Sequence, residues 1–475
     1  MAYNEIDAVA RGRGLTPLKK LRHCVPFRPL IVPRPHVRDR YAFRQAKHGP
    51  SEPHLFAPSL EDEVQEDAIV VGLKRIVDEL PDEVLVRLYL PYGGVPYRPK
   101  ELLAVWLFSL MQGERSTRRL QERIRWDLRY RYLAGNQRPD DRTLGRFLLR
   151  MEPALAEVFA FIVDKLVEAG LASRRCLAVD GTKIPGNISQ FKTVVKEAIG
   201  QSDPDARLMG KGRNWVVGYN AQIAVDPESG YIAGSTVLDA KNDLVAMAPV
   251  VEAIEKQSGE LPNEITADSG YDSSRNLQDL AGRGIESCVA PKKDPERSWT
   301  VDDSGQFRCP AGHCPSSSWT YRNRHGTLVR RLRIAQCPNC EHRSRCASAQ
   351  TQSFVYPIDC DPLLRLQNYK RARSETGKAL LGKRKTVERT FGHVKWNLGF
   401  RRFHLRGLEK ARLEFGMICL AYNVKRYLGT AVQCVWLWLV RYNRIPFAPK
   451  RLAAARSSRK WLPMRHNVLE RAETP

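Results

Sequence analysis

CLAVDGTKI, residues 176–184, is the stretch of sequence that decides the fold. An apolar run, residues 176–179, predicts a short buried strand, and it ends in a carboxylate, Asp180, that a glycine follows directly. The sequence ADSGY, residues 267–271, repeats this arrangement around Asp268. A glycine at such a place lets a ligand approach the backbone closely. Either acid alone is more often a turn former or a helix cap, but together they predict a site at two strand ends.

Short strands and helices are predicted around the two acids. The second and third strands are joined by DPESG, residues 226–230, whose composition is typical of a turn. The order is three strands, a helix, a strand, a helix and a strand, which is the order of a ribonuclease H-like sheet. We therefore predict an α/β (α+β) fold with a ribonuclease H-like mixed sheet and helices. The predicted strands are 176–179, 216–225, 231–237, 264–267 and 287–290, and the predicted helices are 247–255 and 274–281.

The chain carries a large positive charge. Its 475 residues include 77 Lys and Arg against 52 Asp and Glu, which gives a net charge of +25. This charge favours a polyanionic partner, nucleic acid above all, over a free-standing metabolic enzyme. Apolar runs fall far short of the ~18 residues of a membrane span, and the first residues lack the apolar core of an export signal. Because the eleven cysteines also do not suggest a disulfide framework, we expect a cytoplasmic protein without membrane contact.

Changes in composition along the chain predict six segments. Apolar residues at three- and four-residue spacing predict helices before residue 170 and again after residue 362. The first 55 residues, rich in Arg, Pro and His, form either a basic arm or a leader of no consequence. The segments are a basic, poorly ordered arm (1–55), a helical DNA-binding domain (56–170), the first part of the ribonuclease H-like core (171–291), a cysteine-rich insertion (292–361), the C-terminal helices of the core (362–430) and a basic tail (431–475).

A basic stretch lies within the helical segment. Residues 115–131 hold seven arginines, among them Arg115, Arg118 and Arg119. Charged runs of this kind are usually solvated helix faces. In a chain with a net charge of +25 we favour a surface that docks on the phosphates of DNA.

A third candidate acid, Glu388, lies in a strongly basic segment. Residues 371–412 hold thirteen Lys and Arg but three acids. On a helix, Arg384, Glu388 and Lys395 fall within about 40° of one another, beside an apolar stripe. One interpretation is a surface Glu that pairs with Arg384 at i,i+4, and the other is a metal ligand among cations that suit phosphates. The apolar stripe consists of Val387, Phe391, Val394 and Leu398.

Together these motifs resemble the DDE-type transposases of bacterial insertion sequences, over residues 55–430. Many of these proteins carry Tyr, two residues, Arg, three residues, Glu, six residues and Lys. This chain has Arg384, Glu388 and Lys395 at that spacing, with Leu381 in the tyrosine position. The similar motifs of the helical segment are YRPKELL (97–103), STRRL (116–120) and PDDRTL (139–144).

The resemblance implies a catalytic site. Asp180, Asp268 and Glu388 match the family's catalytic aspartate, aspartate and glutamate. They would hold two Mg²⁺ (or Mn²⁺) ions for cleavage and strand transfer at the terminal inverted repeats of a mobile element. The residues that would hold phosphates are Lys183, Arg384 and Lys395.

The implied partner is double-stranded DNA, as transposon ends and as target, bound by a homodimer in the bacterial cytoplasm at the nucleoid. Two alternatives stay open. One is a ribonuclease H-like nuclease that shares the metal site but does not bring two ends together. The other is a domesticated DNA-binding protein without catalysis, against which the presence of all three acids argues.

Five cysteines lie within 38 residues of the insertion, with His313 and His342 between them. Cys337 and Cys340 have the spacing of a zinc knuckle, and thiolates with nearby histidines suit tetrahedral Zn²⁺. The two interpretations are a structural zinc site, which we favour, and a set of reduced thiols. The five residues are Cys309, Cys314, Cys337, Cys340 and Cys346.

Overall fold

A computed structural model gives the fold of the chain. It describes residues 59–90, 95–188, 193–194, 199–200, 203–211, 214–292, 300–302, 306–323, 328–345, 353–357 and 362–441. The chain divides after Gly429 into two compact units, and of the second the structure describes the backbone of a helix that ends at Arg441. The predicted arm, the predicted tail beyond Arg441 and Cys346 lie outside the described residues.

Eight α-helices among the described residues fill the segment that was expected to be helical. They are α1 (Leu60–Val64), α2 (Ala68–Glu79), α3 (Asp82–Val86), α4 (Pro99–Met111), α5 (Thr117–Trp126), α6 (Leu128–Leu133), α7 (Asp141–Arg150) and α8 (Leu155–Glu168). Helix α4 lies at the centre, enclosed by α2, α6 and α7, and eleven of its thirteen residues are buried. The hydroxyl of Ser116 caps α5 and the carboxylate of Asp140 caps α7. No helix in the described part of the chain is long and apolar enough to cross a membrane.

A central mixed sheet follows the helices. Its strands are β1 (Cys176–Pro185), β2 (Thr193–Val194), β3 (Ile199–Gly200), β4 (Asp203–Lys211), β5 (Asn214–Val225), β6 (Ile232–Leu238), β7 (Glu264–Ala267) and β8 (Glu286–Val289). Helix α9 (Met247–Ser258) precedes β7, and α10 (Ser274–Ala281) precedes β8. β1 pairs antiparallel with β5 and parallel with β7, and the order β6–β5–β1–β7–β8 forms the core. This order confirms the predicted ribonuclease H-like sheet.

The predicted elements have nearly the right bounds, with one important exception. β7 and α10 occupy the predicted residues. β1, however, continues through Asp180 to Pro185, so the prediction that Asp180 ends its strand is wrong. Parallel pairing with β7 stops at Val179, opposite Ala267, while antiparallel pairing with β5 continues to Pro185. Asp180 therefore lies inside a strand, at the point where one of its two neighbours ends.

The helices after the insertion form the other side of this core. They are α11 (Pro362–Arg373), α12 (Glu375–Lys383), α13 (Lys385–Gly392) and α14 (Leu408–Arg441), with a π-helical turn, His393–Asn397, after α13. The predicted apolar stripe is confirmed, because Val387, Val394 and Leu398 are 0% exposed and Phe391 is 6% exposed.

Side chains alternate between the two faces of β1. Leu177 and Val179 pack with residues of α9 and α10 in one apolar cluster. Ala178 and Ile184 belong to a second cluster, which includes the apolar stripe of α13 and the turn after it. The even-numbered residues of β1, Asp180 among them, therefore face the C-terminal helices.

Two asparagines of the C-terminal helices close the two edges of the core sheet. Asn368 of α11 accepts a hydrogen bond from the N–H of Val289 in β8 and donates one to its carbonyl, at 2.8 and 2.9 Å. Asn423 of α14 makes the same pair of bonds with Ile232 in β6, at 3.0 and 2.8 Å. Each amide stands where a further strand would pair, so it satisfies the backbone of an edge strand.

The turn between β5 and β6 holds α13 in place. Gly230 has a φ of +77°, which residues with a side chain rarely adopt. Its carbonyl accepts a hydrogen bond from the hydroxyl of Tyr422 at 2.9 Å. The hydroxyl of Thr386, in the first turn of α13, donates to the carbonyl of Pro227 at 2.8 Å. The turn that the sequence predicted is therefore a docking point for two helices.

The insertion between β8 and α11 contains strands of its own. They are β9 (Thr300–Val301), β10 (Phe307–Arg308), β11 (Ser317–Arg322), β12 (Leu328–Arg333) and β13 (Ser353–Pro357). β9 pairs with β10, and the last three strands form an antiparallel sheet. Val329, Leu332 and Ile334 are buried, and Cys309 and Cys337 pack against the cluster of Leu332 and Ile334. The sequence did not predict these strands, since they are short and mostly exposed.

Candidate active site

Asp180 lies on the face of β1 that meets α13, with 19% of its side chain exposed. Its Oδ1 accepts a hydrogen bond from the N–H of Gly181 at 2.8 Å, and its Oδ2 lies 3.2 Å from Nη1 of Arg384. Burial raises the pKa of Asp180 to about 6, and the negative charges of Asp268 and Asp243 add to the effect. Arg384 and the backbone hydrogen bond oppose this rise. Burial is therefore the main cause of the raised pKa, and Arg384 offsets part of it.

Asp268 lies beside Asp180, because β7 runs parallel to β1 and pairs with it up to the preceding residue, Ala267. Oδ1 of Asp268 accepts a hydrogen bond from the N–H of Gly270 at 2.7 Å and so caps the short 3₁₀ turn that follows. Oδ2 of Asp268 receives no hydrogen bond from any residue that the structure describes. The helix-cap interpretation thus accounts for Oδ1 of this carboxylate but not for Oδ2.

The structure adds Asp243, an acid that the sequence did not indicate. Its Oδ1 accepts hydrogen bonds from Nδ2 of Asn220 and Nε2 of Gln222, both at 2.8 Å. A Cβ atom on Gly270 would lie 2.8 Å from Oδ1 of Asp268 and 3.4 Å from Oδ2 of Asp243. The two carboxylates therefore flank one small space over Gly270, which a larger residue would fill.

A signal for this arrangement exists in β5. Asn220 and Gln222 occupy alternate positions of an otherwise largely apolar strand, and they are 2% and 0% exposed. Because buried amides need hydrogen-bond partners, this pattern predicts a polar group over the sheet. It does not identify Asp243 as that group. Gly181 fits the same arrangement, since a Cβ atom there would overlap the amide of Gln222.

Glu388 lies at the rim of the site, in the first turn of α13, with 61% of its side chain exposed. Its Oε1 lies 3.6 Å from Nη2 of Arg384, which is the i,i+4 pair considered as the alternative interpretation. The same guanidinium reaches Asp180, so Arg384 joins the acid on β1 to the acid on α13. The structure thus brings Asp180 and Asp268 together directly and links Glu388 to them through a cation.

Lys395 lies in the π-helical turn, so the angle predicted for it on a regular α-helix does not apply. Its Nζ donates a hydrogen bond to Oγ1 of Thr182, two residues beyond Asp180 on the same face of β1. Burial lowers the pKa of Lys395, and the negative charge of Asp180 opposes this effect. Lys395 is therefore a partly buried cation held beside the acids, and π-helical turns are frequent at functional sites.

Three of the remaining predicted DNA-binding residues are exposed. Lys183 lies, by alternation, on the face of β1 opposite to that of Asp180. The side chains of Arg118 and Arg119 on α5 are 89% and 74% exposed. Arg118 and Arg119 can therefore reach a partner, whereas Lys183 does not share a face with Asp180.

Arg115, by contrast, points into the protein, with 11% of its side chain exposed. It donates hydrogen bonds to Oε1 of Glu414 at 3.1 Å and to the carbonyl of Arg402 at 2.7 Å, and its guanidinium lies over the ring of Phe400. The prediction assigned Arg115 to DNA, but the structure uses it to join the start of α5 to α14 and the segment before it.

The cysteine cluster is only partly described. Cys309, Cys337 and Cys340 are partly buried and Cys314 is exposed. Cys309 and Cys337 pack against the same small apolar cluster. Within the described ranges, no three His, Cys, Asp or Glu side chains form a group that could hold a metal ion, and Cys346 lies outside them. The zinc site stays a prediction.

The acidic residues have the chemistry that a divalent cation requires. Carboxylate oxygens are the ligands that Mg²⁺ and Mn²⁺ prefer. The space over Gly270, which a Cβ atom would fill, is flanked by oxygens of Asp268 and Asp243. Asp180, beside Asp268, is a carboxyl whose pKa is raised chiefly by burial and further by the charges of Asp268 and Asp243. The chemistry of these donors suits a hard divalent cation, but in the described structure no three of the carboxylates are grouped as a metal site.

Comparison with known proteins identifies two domains. The family model described as Transposase DDE domain matches residues 171–424, and the one described as Transposase domain (DUF772) matches residues 58–150. A cryo-EM structure of the piggyBac transposase synaptic complex with hairpin DNA has 11% identity and a TM-score of 0.32, over 82% of this chain and 84% of that chain. So slight a similarity adds nothing to the assignment. The first family model covers more than half of the chain, and the chain therefore belongs to the DDE-type transposases, enzymes that cleave DNA.

Proposed function

We propose that this transposase cleaves DNA at the terminal inverted repeats of a mobile element and transfers the cut ends to target DNA by metal-assisted phosphoryl transfer. The observation that carries the proposal is the meeting of acids and cations on one face of β1. Asp180 and Asp268 lie side by side, and Arg384 and Lys395 reach β1 at Asp180 and Thr182. Phosphoryl transfer needs this combination, because charge that develops on phosphate oxygens must be neutralised.

The residues that would hold two Mg²⁺ or Mn²⁺ ions are Asp180, Asp268 and Glu388. When bound, such ions activate the attacking oxygen and stabilise the leaving one. Asp180 would have to release Nη1 of Arg384, since that contact occupies Oδ2. Arg384 would keep its contact with Glu388, so the cationic group would move from an acid to a phosphate without leaving the site.

In cleavage, the oxygen of water forms a bond to phosphorus while the bond to the 3′ oxygen breaks, and the 3′ oxygen takes up a proton. In strand transfer, the freed 3′-OH attacks a phosphorus of the target strand and displaces another 3′ oxygen. Lys395 would pair with a non-bridging oxygen of the scissile phosphate. Because its Nζ is partly buried beside Thr182, its charge would count for more than one in open water. The reaction needs no covalent enzyme intermediate.

Arg118 and Arg119 would bind the phosphates of the end DNA outside the cleavage site. Both are exposed on α5, in the segment that matches the second transposase domain. Two ends must be held together for transposition, so we propose that a homodimer binds the DNA, at the bacterial nucleoid. The net charge of +25 supports this polyanionic partner.

The insertion would carry a structural Zn²⁺. Cys337 and Cys340 have knuckle spacing, and Cys309 packs against the same apolar residues as Cys337. The remaining ligand would come from Cys314 or Cys346. A zinc ion here would stabilise a small insertion that has only three buried apolar residues, Val329, Leu332 and Ile334, among those described.

The test uses purified full-length protein and DNA that carries the inverted repeats flanking the coding frame. Asp180→Asn, Asp268→Asn and Glu388→Gln keep side-chain shape but remove a charged ligand, so each should abolish Mg²⁺-dependent cleavage and retain DNA binding. Substantial nicking by any one variant would remove that residue from the site.

A pre-cut end separates the alternatives. The transposase joins this end to a target plasmid, whereas a nuclease without synapsis cuts the uncut substrate but does not join the pre-cut end. A domesticated DNA-binding protein would bind the ends and do neither.

A further inference from the structure

Trp396 lies in the π-helical turn after α13, and 68% of it is exposed. The guanidinium of Arg401 lies over its ring, with Cζ 3.8 Å from the ring centre. Because the residue is largely exposed although Arg401 covers one face of the indole, the opposite face is open to solvent. A single exposed aromatic ring is common on protein surfaces, so its role depends on what holds it and what lies beside it.

The segment that carries this tryptophan–arginine pair is fixed to the protein core. The N–H of Phe403 donates a hydrogen bond to the carbonyl of Pro185, the last residue of β1, at 2.9 Å. The guanidinium of Arg115 donates to the carbonyl of Arg402 at 2.7 Å. Phe403 is 0% exposed, so its ring anchors the same segment in the core. The indole is therefore held in a defined position relative to β1.

That position is next to the candidate active site. Lys395, the residue directly before Trp396, donates a hydrogen bond to Thr182, two residues beyond Asp180 on β1. Neighbouring Cα atoms are about 3.8 Å apart, and successive bases of a DNA strand are about 3.4 Å apart. A strand with one phosphate at Asp180 therefore brings bases a few nucleotides from that phosphate to the indole. Arg402, exposed in the same segment, offers positive charge to neighbouring phosphates.

We propose that the open face of Trp396 stacks on a nucleobase of the end DNA, within a few nucleotides of the phosphate that is cleaved. The proposal rests on the proposed function, which brings this phosphate to Asp180 and Lys395. The charge of +25 and the membership in a family of DNA-cleaving enzymes favour a nucleobase over an apolar protein surface as the partner of this ring. Arg401 would hold the ring in the orientation that stacking requires.

A base can offer a free face from two sources. It can leave the stack inside a duplex, or it can be the last base of a cut end. An indole stacks on either, because every base has a π-face and stacking tolerates differences in sequence. The chemistry of recognition is therefore the same for both sources.

The experiment is a photochemical crosslink with full-length protein in EDTA, bound to end DNA that carries 5-iodouracil at successive positions on either side of the cleavage point. Under ultraviolet light this base crosslinks to an aromatic ring that stacks on it. We expect a crosslink to Trp396, identified by mass spectrometry of the peptide, and we expect Trp396→Leu to lose it. DNA that binds without a crosslink to Trp396 at any position would overturn the proposal.

Intact and pre-cut ends distinguish the two sources of the base. A crosslink to the intact duplex identifies an internal base that has left the stack. A crosslink that forms with the pre-cut end alone identifies the terminal base. Either result supports the proposal.

Cleavage rates in Mg²⁺ test whether the reaction uses this contact. Trp396→Leu should slow end cleavage about tenfold or more, and Trp396→Phe, which keeps a ring, should retain most of the rate. If the base at the crosslinked position is removed, the unchanged protein and Trp396→Leu should cleave at equal rates, because neither can stack there. A tenfold difference that persists on this abasic DNA would contradict the proposal and assign Trp396 a structural role.

Trp215→Leu is the matched control. Trp215 is also exposed, at 51%, and it lies about 26 Å along β5 from Ile223, the strand partner of Asp180. This variant should crosslink at Trp396 and cleave like the unchanged protein.

The two proposals fail in different ways. If the unchanged protein cleaves the ends, no crosslink forms at Trp396 and Trp396→Leu cleaves equally well, the role of Trp396 is wrong and the proposed function stands. If the unchanged protein neither binds nor cleaves the end DNA, the proposed function and the role of Trp396 are wrong together.

Discussion

Arg384 and Asp180, 204 positions apart in the sequence, form an ion pair with 3.2 Å between Nη1 and Oδ2. Both side chains are about one-fifth exposed, at 21% and 19%. The pair attaches the start of α13 to the middle of β1 and offsets part of the charge on Asp180. It does not offset all of it, since burial and neighbouring acids still raise the pKa of Asp180 to about 6. The balance between burial and the ion pair determines how Asp180 contributes to stability at different pH values.

Asp180→Asn should stabilise the metal-free protein at pH 8 and not at pH 4. The native pKa of Asp180, about 6, lies above its ordinary value of 3.8, so the folded state binds the proton more tightly than the unfolded state. The stability that this group contributes is present below pH 4 and is lost as the pH rises through 6. At pH 8 the neutral variant should gain about 1–3 kcal/mol in free energy of unfolding.

Urea unfolding in EDTA at both pH values measures this gain, with the exposed Asp239→Asn as the control. A variant that is less stable than the unchanged protein at pH 8 would show that the ion pair with Arg384 outweighs the burial of Asp180.

Lys395→Ala should reduce end cleavage by roughly 10²-fold, the scale of losing one preorganised electrostatic contact. Lys385 is the matched control, because it is an exposed lysine at the start of the same helix segment. Lys385→Ala should chiefly weaken DNA binding and flatten its salt dependence. Cleavage rates at saturating protein, with binding measured in parallel, separate the two effects. Equal and mild losses in both variants would mean that bulk charge alone matters.

Arg115→Ala should lower the stability of the protein, whereas Arg118→Ala should lower its affinity for DNA. Removal of Arg115 leaves Glu414, 5% exposed, without its cation, and should cost about 3 kcal/mol or more in free energy of unfolding. Arg118→Ala should change stability by less than about 1 kcal/mol, since its side chain is 89% exposed. It should weaken DNA binding and lower the slope of affinity against salt. Thermal unfolding and binding titrations at several salt concentrations test both, and a stable Arg115→Ala variant would contradict its structural role.

Purified protein should contain about one zinc per chain if the insertion holds a structural site. Cys337→Ser and Cys340→Ser should lower the zinc content, while Cys419→Ser, a buried cysteine of α14, should not. Elemental analysis of protein prepared without chelators measures this. Absence of zinc would establish the reduced-thiol interpretation.

The sequence predicts the parts of this protein that depend on local pattern. Alternation and turn residues predict the sheet, and the apolar stripe from Val387 to Leu398 predicts which face of the segment is buried. Asp180 and Asp268 are predicted to meet because each follows an apolar strand. The two acids do meet, because β1 and β7 are parallel neighbours, although β1 itself continues beyond Asp180.

The features that the sequence misses depend on contacts between distant segments. Arg115 has the charge of a DNA ligand, and its burial follows only from Glu414, 299 positions away. Asp243 lies in a polar loop, where an acid is not unusual. Its position is fixed by hydrogen bonds from Asn220 and Gln222 of β5, which the sequence does not reveal. Lys395 leaves the regular helix because of a π-helical turn, which composition does not reveal.

The asparagine pairs at the two sheet edges make the insertion between β8 and α11 exchangeable. Asn368 and Asn423 fix the C-terminal helices by bonding to Val289 and Ile232, and all four residues lie outside the insertion. Doubling the length of such a connection costs only about 0.6 kcal/mol in closure entropy. We therefore expect that the cysteine-rich insertion can be lengthened, removed or replaced while Glu388 keeps its position in the site.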